Sequence, residues 1–549
     1  MCNSAAVPGN SNRKPERLVT HTGAQSLAAL DTSLVEGLLD PAAFEHATGA
    51  VEMIETHISW VILAGEFVYK IKKPVVLDFL DFQTLERRKF YCEEELRLNR
   101  PWAPDIYLDV VPVTLADGQP RFGGAGNAVE YAVRMRRFDQ QLRLDRQLEL
   151  GRLSVPDMKE LGRNIAMRHA SAPVVAASQR ERVLRLTNEF MWDNFAALDG
   201  HVDIDELELL QRWTERELQR LQPTIGERFD EGFFRDCHGD LHLANLVRLP
   251  DGITTFDCIE FNTDLRHIDV ICDIAFLTMD LVARERHDLA AHFINRYLEC
   301  SGDYAGVSLL SLYFVYRCLV RAKVAAILSA EHESEAARQA DLAEAHRYCD
   351  MARRQAATRA PVLVLMSGLS GSGKTRVSGQ LMAALPAIRI RADLERKRMF
   401  GLRESDNSAS PIDAGIYTRR ANEAVYRQLL LHARSILESG HHVILDAAFL
   451  KSADRTDAVA MAAELGLPAV LLQVTAPEEV LRERLQQRRR HGGDASEAGL
   501  DVLDHQLATA EPLTDGEMTI AISCDNSGSI DAAGLATDLR DRVRHHRAG

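Results

Sequence analysis

The sequence predicts two folded halves of different class, an α+β half followed by an α/β half built on a parallel sheet. Three observations carry this prediction. A chain of 549 residues exceeds what one hydrophobic core usually organises. Residues 57–135 read as β-branched and aromatic strands around one charged helix, and helical periodicity then fills most of 140–230 and 280–355. Beyond residue 360, short apolar runs alternate with helical stretches, the pattern of strands and crossover helices in a parallel sheet.

Taken in order, residues 1–28 are rich in Asn, Ser, Pro and Arg and predict a disordered tail. His57 to Lys73 predicts a hairpin turning at Ala64-Gly-Glu66, Leu85 to Arg100 a helix stopped by Pro101, and Val129 to Met135 another strand. Cys237 to Phe261 is a β-like island with turn residues Pro250-Asp-Gly252. The character changes at about residue 358, and the halves are set at 29–355 and 356–549. In the second half, Val362–Met366, Ile388–Asp393, His441–Asp446 and Val470–Val474 read as strands, and a helix opens at Arg376.

A net charge of −15 argues against bulk nucleic acid or an anionic membrane as the main partner, although one cleft can still be basic. Nine cysteines without a Cys-x-x-Cys pair suggest neither a disulfide framework nor a zinc site, and fit a reducing compartment. Met1 to Arg17 lacks the apolar segment of a secretory signal, and the apolar runs are too short to span a bilayer. A soluble cytoplasmic protein is expected.

Gly368-Leu-Ser-Gly-Ser-Gly-Lys-Thr375 follows an apolar strand and opens a helix. Gly368, Gly371 and Gly373 let backbone N–H groups converge on phosphate oxygens, Lys374 reaches the β/γ-phosphates, and the Thr375 hydroxyl suits magnesium. This is a P-loop, and ATP with Mg2+ is the expected ligand. Asp393 ends a strand and is placed to take a proton from a substrate hydroxyl, or else caps the helix that starts at Leu394. Asp446, at the end of another strand, suits the metal side of the phosphates. Arg484 and Arg488 lie one helical turn apart and either neutralise a transferring phosphoryl group or form a solvated basic face.

Together, the P-loop, Arg391-Ala-Asp393 with Arg396-Lys397, Asp446 and Arg484-x-x-x-Arg488 resemble the small P-loop kinases. That group includes gluconate kinase, polynucleotide kinase, chloramphenicol phosphotransferase and zeta-toxin relatives. The resemblance covers about residues 360–545 and implies a three-layer α/β/α domain, Asp393 as base and the two arginines as a lid. It does not name the acceptor.

The first half holds a second constellation, Cys237-His-Gly-Asp-Leu-His-Leu-Ala-Asn245. Phosphoryl transfer wants a carboxylate, here Asp240, to hold the acceptor hydroxyl and an amide, here Asn245, for the metal that bridges the phosphates. Asp257, after a short hairpin, supplies a second metal carboxylate. Lys70 and Lys72 share one face of a strand, and Glu93, Glu94 and Glu95 follow on a helix.

Asp257-Cys-Ile-Glu260, Tyr-Lys-Ile-Lys-Lys-Pro (69–74) and Glu-Glu-Leu-Arg-Leu-Asn (94–99) make the stretch from about 30 to 350 similar to aminoglycoside phosphotransferase and choline kinase relatives. The resemblance implies a bilobal, protein-kinase-like fold, a Lys70–Glu95 pair, a hinge strand at Val133–Phe138, and Asp269 and Asp273 bracing the catalytic loop. Arg317, Arg321 and Lys323 either line the acceptor site or form a solvated helix face. One departure stands out: this half has no Gly-x-Gly-x-x-Gly loop.

The expected function is an ATP-dependent phosphotransferase acting on a hydroxyl of a small molecule, with two kinase-like sites. The alternatives are a nucleotide-sensing regulator with a weak N-terminal pseudokinase, or a polynucleotide 5′-kinase. Oligomeric state is not readable from the residues.

Overall fold

The computed structural model describes residues 28–77, 80–332, 334–357, 360–408, 410, 414–491, 496–528 and 530–548. The tail expected over 1–28 lies, but for Ala28, outside the described residues, as does position 358. The chain forms two compact units that meet in sequence at Phe138 and Asp139.

In the first unit, helix α1 (Ala28–Gly37) precedes strands β1 (Val51–Glu55), β2 (Ser59–Ala64), β3 (Phe67–Lys72), β4 (Val76–Leu77) and β5 (Leu80–Asp81). Helix α2 (Leu85–Asn99) follows, then β6 (Tyr107–Ala116), β7 (Gln119–Phe122) and β8 (Ala128–Arg136). Six strands make one sheet in the order β1-β2-β3-β8-β6-β7, with every neighbour pair antiparallel. The expected hairpin is β2–β3: Ala64 pairs with Phe67, and Gly65 turns at φ +59 in contact with the Ala47 carbonyl, where a Cβ would not fit. Alternation along β3 sends Tyr69 and Ile71 into an apolar core with Ile62, Val113, Phe122 and Ala132, and Lys70 and Lys72 to the opposite face. Thr84 starts α2 by accepting the Arg87 N–H, and the helix ends just before Pro101, as its sequence requires.

The second unit begins with four helices, α3 (Leu144–Glu149), α4 (Val155–Ser171), α5 (Arg180–Leu198) and α6 (Ile204–Asp230). The β island comprises β9 (Phe234–Asp236), β10 (Leu246–Leu249), β11 (Gly252–Thr255) and β12 (His267–Asp269). Helices α7 (Val270–Ala283), α8 (His287–Ser301), α9 (Val307–Glu331) and α10 (Glu335–Ala356) complete this part. Phe195, Leu210, Phe276, Phe314, Leu319 and Tyr348 bind α5, α6, α7, α9 and α10 around one apolar core.

The remaining elements are β13 (Leu363–Ser367), α11 (Lys374–Ala384), β14 (Ala387–Arg391), α12 (Ala392–Met399), α13 (Arg419–Glu438), β15 (His442–Asp446), α14 (Ser452–Glu464), β16 (Ala469–Thr475), α15 (Glu478–His491), α16 (Leu500–Thr509), α17 (Asp515–Ile520), β17 (Ala521–Asp525) and α18 (Ala532–Ala548). Five parallel strands run in the order β14-β15-β13-β16-β17. All five residues of β13 are buried, as a central strand covered on both faces demands. Val364 and Met366 face Val377 and Leu381 of α11 and Leu539 of α18.

Two expectations need correction here. The strand expected to end at Asp393 ends at Arg391, and α12 begins at Ala392. Asp393 therefore neither ends a strand nor caps a helix; it sits in the first turn of α12, where a carboxylate is stabilised by the exposed N–H groups. The loop helix opens at Lys374 and not at Arg376. A fifth strand, β17, was not anticipated.

Helix α8 lies against β14, an edge strand of the parallel sheet. The fully buried Asn295 amide donates to the Ala387 carbonyl at 2.9 Å and accepts the Arg389 N–H at 2.6 Å. Among the described residues no helix is long and apolar enough to cross a membrane.

Candidate active sites

In the first unit, Lys70 Nζ donates to Glu95 Oε1 at 2.9 Å and Lys72 Nζ donates to Oε2 at 2.8 Å. Lys70 does meet Glu95, but Lys72 shares it, and Lys72 and Glu95 are fully buried. Burial opposes the Glu95 charge, yet the two ammonium groups hold its carboxyl down to about 2. Strands β1 and β2 are joined by Thr56-His-Ile58, and the Thr56 side chain closes that turn by accepting the Ser59 N–H at 3.0 Å and donating to its carbonyl at 2.9 Å.

In the second unit, the loop after β9 carries the His238–Asn245 constellation. Gly239 turns at φ +82, packed against the Leu265 carbonyl, and only glycine suits that position. The buried Asp273, at the start of α7, accepts the Gly239 N–H at 2.9 Å and the His238 N–H at 3.2 Å. His169 Nε2 donates to the same carboxylate at 3.1 Å, while its Nδ1 accepts the Tyr297 hydroxyl at 2.9 Å. The expected bracing thus belongs to Asp273. Asp269 instead caps α7 and pairs with Arg228, which also grips Asp303. Burial pushes His238 below the ordinary histidine value; its Nε2 donates to the Phe256 carbonyl at 3.0 Å.

Asn245 Nδ2 donates to Asp240 Oδ2 at 2.8 Å and to the Asp240 carbonyl at 3.0 Å, so these two predicted site residues are brought into contact. His242 lies 3.2 Å from the same Asp240 oxygen. Burial works against charge on both groups, yet the pair holds the Asp240 carboxyl well below its usual range and raises His242. The β10–β11 hairpin returns the chain so that the Phe256 N–H donates to the Asn245 carbonyl at 3.0 Å, with Asp257 next in line at φ +61. A left-handed aspartate is uncommon, and such backbone clusters at functional turns.

Arg317 is not on a solvated face. It is 5% exposed, stacks on Phe276 at 4.7 Å, and its Nη2 has no partner among the described residues. Arg321, also on α9, pairs with Glu344 of α10 at 3.6 Å.

In the parallel-sheet part, Gly368, Gly371 and Gly373 all have φ between +85 and +148. A Cβ at Gly368 would lie 2.3 Å from the Val474 carbonyl, and one at Gly373 only 2.1 Å from Asn526 Nδ2. The loop needs these glycines sterically as well as conformationally. Lys374 Nζ donates to the Gly368 carbonyl at 2.8 Å and to that of Leu369 at 3.0 Å. Burial and the charge of Arg488 push Lys374 below the ordinary lysine value, while Asp446 and Asp393 oppose them. Asp446 is buried at the end of β15 and accepts the Ser378 hydroxyl at 3.0 Å. Thr375 opens α11 beside Lys374.

From α15, Arg484 donates to the Asn526 carbonyl at 2.6 Å and, more weakly, to that of Gly371 at 3.4 Å. Arg488 donates to the Ala498 carbonyl at 2.5 Å. Three contacts, two on the loop and one beside it, were not anticipated from the sequence. Asn526 donates to the Ser372 carbonyl at 2.7 Å, Gln506 accepts the Ser370 N–H at 2.8 Å, and Ser378 joins Asp446. Asn526 follows the alternating strand Ala521–Asp525, which was its one available signal.

Residues 132–310 match the Phosphotransferase enzyme family, and residues 363–513 match the AAA domain. The uncharacterized protein Rv2004c of Mycobacterium tuberculosis is 31% identical over 457 residues, which cover 81% of this chain and 88% of that protein. The uncharacterized protein Mb2027c of Mycobacterium bovis aligns with the same figures. Among solved structures, a sugar kinase from Janibacter sp. HTCC2649 is 22% identical with a TM-score of 0.25, covering 35% of this chain and 98% of that one. A choline/ethanolamine kinase family protein from Mesorhizobium loti is 11% identical with a TM-score of 0.37, covering 60% of this chain and 97% of that one. The chain therefore belongs to the same family as the mycobacterial protein Rv2004c, and in it a kinase-like phosphotransferase domain precedes a P-loop kinase domain.

Proposed function

We propose that this chain is an ATP- and magnesium-dependent phosphotransferase that moves the γ-phosphate to a hydroxyl of a small molecule. The observation that carries the reading is the setting of Lys374. Its part-buried ammonium group, bonded to the Gly368 and Leu369 carbonyls, lies within electrostatic reach of two carboxylates, Asp446 and Asp393, and of one arginine, Arg488. A P-loop lysine placed among a metal-side carboxylate, a candidate base and a cation for the developing charge is an arrangement suited to phosphoryl transfer.

The donor chemistry fits magnesium. The Thr375 hydroxyl and the buried Asp446 carboxylate are hard oxygen donors, and Ser378 occupies only one Asp446 oxygen. Bound magnesium would neutralise phosphate charge, and the protein would orient Asp393 towards the acceptor hydroxyl. In the phosphotransferase domain the same division of labour falls to Asp240 for the hydroxyl, and to Asn245 and Asp257 for the metal. The amide nitrogen of Asn245 is engaged by Asp240, which leaves its oxygen for a cation.

Lys374→Ala in the full chain is expected to lower ATP affinity at least tenfold in a calorimetric titration, and unchanged affinity refutes the P-loop assignment. Turnover is tested with γ-labelled ATP and a metabolite extract. Asp393→Asn and Asp240→Asn should each remove one set of labelled products, and unchanged products in both variants refute the proposed bases. A second reading, a phosphotransferase domain that binds nucleotide weakly and serves as a sensor, is favoured by the short, glycine-free Thr56–Ile58 turn. Under that reading only Asp393→Asn changes the products.

A further inference from the structure

A buried polar chain joins α8 of the phosphotransferase domain to the metal side of the P-loop site. Glu299 on α8 accepts Arg389 Nη2 at 2.5 Å and Nε at 3.2 Å. Arg389 Nη1 donates in turn to the Ser378 hydroxyl oxygen and to the Thr375 carbonyl, both at 3.3 Å. The Ser378 hydroxyl reaches Asp446 Oδ2 at 3.0 Å. Glu299, Arg389, Ser378 and Asp446 are each at most 6% exposed, so no step of the chain is screened by water.

Hydrogen-bond counting gives the chain a direction. Ser378 has one proton and two acceptors in range, Asp446 and the Thr375 carbonyl at 3.2 Å. Arg389 fills the Thr375 carbonyl and donates to the Ser378 oxygen, which favours sending the hydroxyl proton to Asp446. Asp446 is thereby held by one oxygen, with the other left for a ligand. Glu299 matters because a buried guanidinium without a carboxylate would be costly at this place. Its helix is itself fixed from another side by Tyr297, two residues earlier, through the hydroxyl bond to His169.

We propose that Arg389, gripped by Glu299, is a positioning residue of the P-loop site, so that a helix of the phosphotransferase domain sets the carboxylate facing the metal. The proposal rests on the reading of Asp446 as a magnesium-side ligand. Outer partners of metal ligands of this kind typically change metal affinity about 10- to 100-fold when removed.

The test uses the full chain and compares ATP affinity with magnesium against ATP affinity in EDTA. For Glu299→Gln, the expected result is a loss of about tenfold with magnesium and no change in EDTA. The Glu299→Gln/Asp446→Asn double variant should be no weaker than Asp446→Asn alone. Equal losses with and without magnesium mean that Glu299 only holds the domains together, and overturn the proposal. So does a wild-type ratio in Glu299→Gln when Asp446→Asn has lost its magnesium dependence. If Asp446→Asn itself keeps full magnesium dependence, the underlying reading of Asp446 fails, and the proposal falls with it. Should Glu299→Gln not fold, Arg389→Lys replaces it under the same criteria, because lysine keeps the charge on Glu299 but cannot fork to Ser378 and Thr375.

Discussion

Asp273→Asn is the sharpest probe of the phosphotransferase loop. The wild-type carboxylate takes three donors, the Gly239 and His238 N–H groups and His169 Nε2. An asparagine offers one acceptor oxygen and turns the other position into a donor. Its best fit keeps the oxygen at the Oδ2 position, where it serves His238 and His169, and leaves the Gly239 N–H facing an amide NH2. Stranding one buried donor costs about 1–3 kcal/mol, and losing charge assistance on the other bonds adds roughly 1 kcal/mol. A local cost of about 2–4 kcal/mol corresponds to faster amide exchange by roughly 30- to 1,000-fold in the His238–Asn245 loop. Hydrogen exchange read by mass spectrometry separates that loop from Leu363–Thr375, which should stay as protected as in the wild type. A folded variant whose loop exchanges at the wild-type rate would show that Asp273 does not hold the catalytic loop.

Glu95→Gln removes the buried carboxylate that Lys70 and Lys72 share and should destabilise the first unit by about 3–5 kcal/mol, read as faster exchange of the β3 amides. Because the folded carboxyl is held down to about 2, its contribution is complete above the unfolded value of about 4.3 and fades as pH falls towards 2, so variant and wild type should draw together below about pH 4 and converge only near pH 2. Gly373→Ala puts a Cβ 2.1 Å from Asn526 Nδ2 at φ +86 and should cut ATP affinity at least tenfold in a titration. Asn295→Ala leaves the Ala387 carbonyl and Arg389 N–H unpaired at about 1–3 kcal/mol each, and the β14 amides should exchange faster.

Much of the fold is local chemistry and could be read directly. Alternation in Phe67–Lys72 sent the lysines to one face, and glycine spacing placed the P-loop between β13 and α11. What escaped was non-local. Nothing in Ile388–Asp393 marks where extended backbone gives way to helix, because Arg391 and Ala392 suit either state, and α12 claimed Asp393 for its first turn. β17 is an edge strand with one half-exposed face and so lacks the apolar run that announces β13. The burial of Arg317 depends on Phe276 from another helix, and the pairing of His169 with Asp273 spans 104 positions. Such contacts are set by helix packing and leave no periodic trace.

The Asn295 carboxamide engages β14 as a peptide group of a neighbouring strand would, donating to one residue and accepting from the residue two further on. An edge strand with free N–H and C=O groups is a template for unwanted pairing, and here a helix side chain closes part of it. Cutting the chain between the two domains would reopen that edge and strand the buried Arg389 charge. The P-loop domain expressed alone should therefore tend to self-associate through β14, and the join between the domains acts as a guard against aggregation as much as a tether.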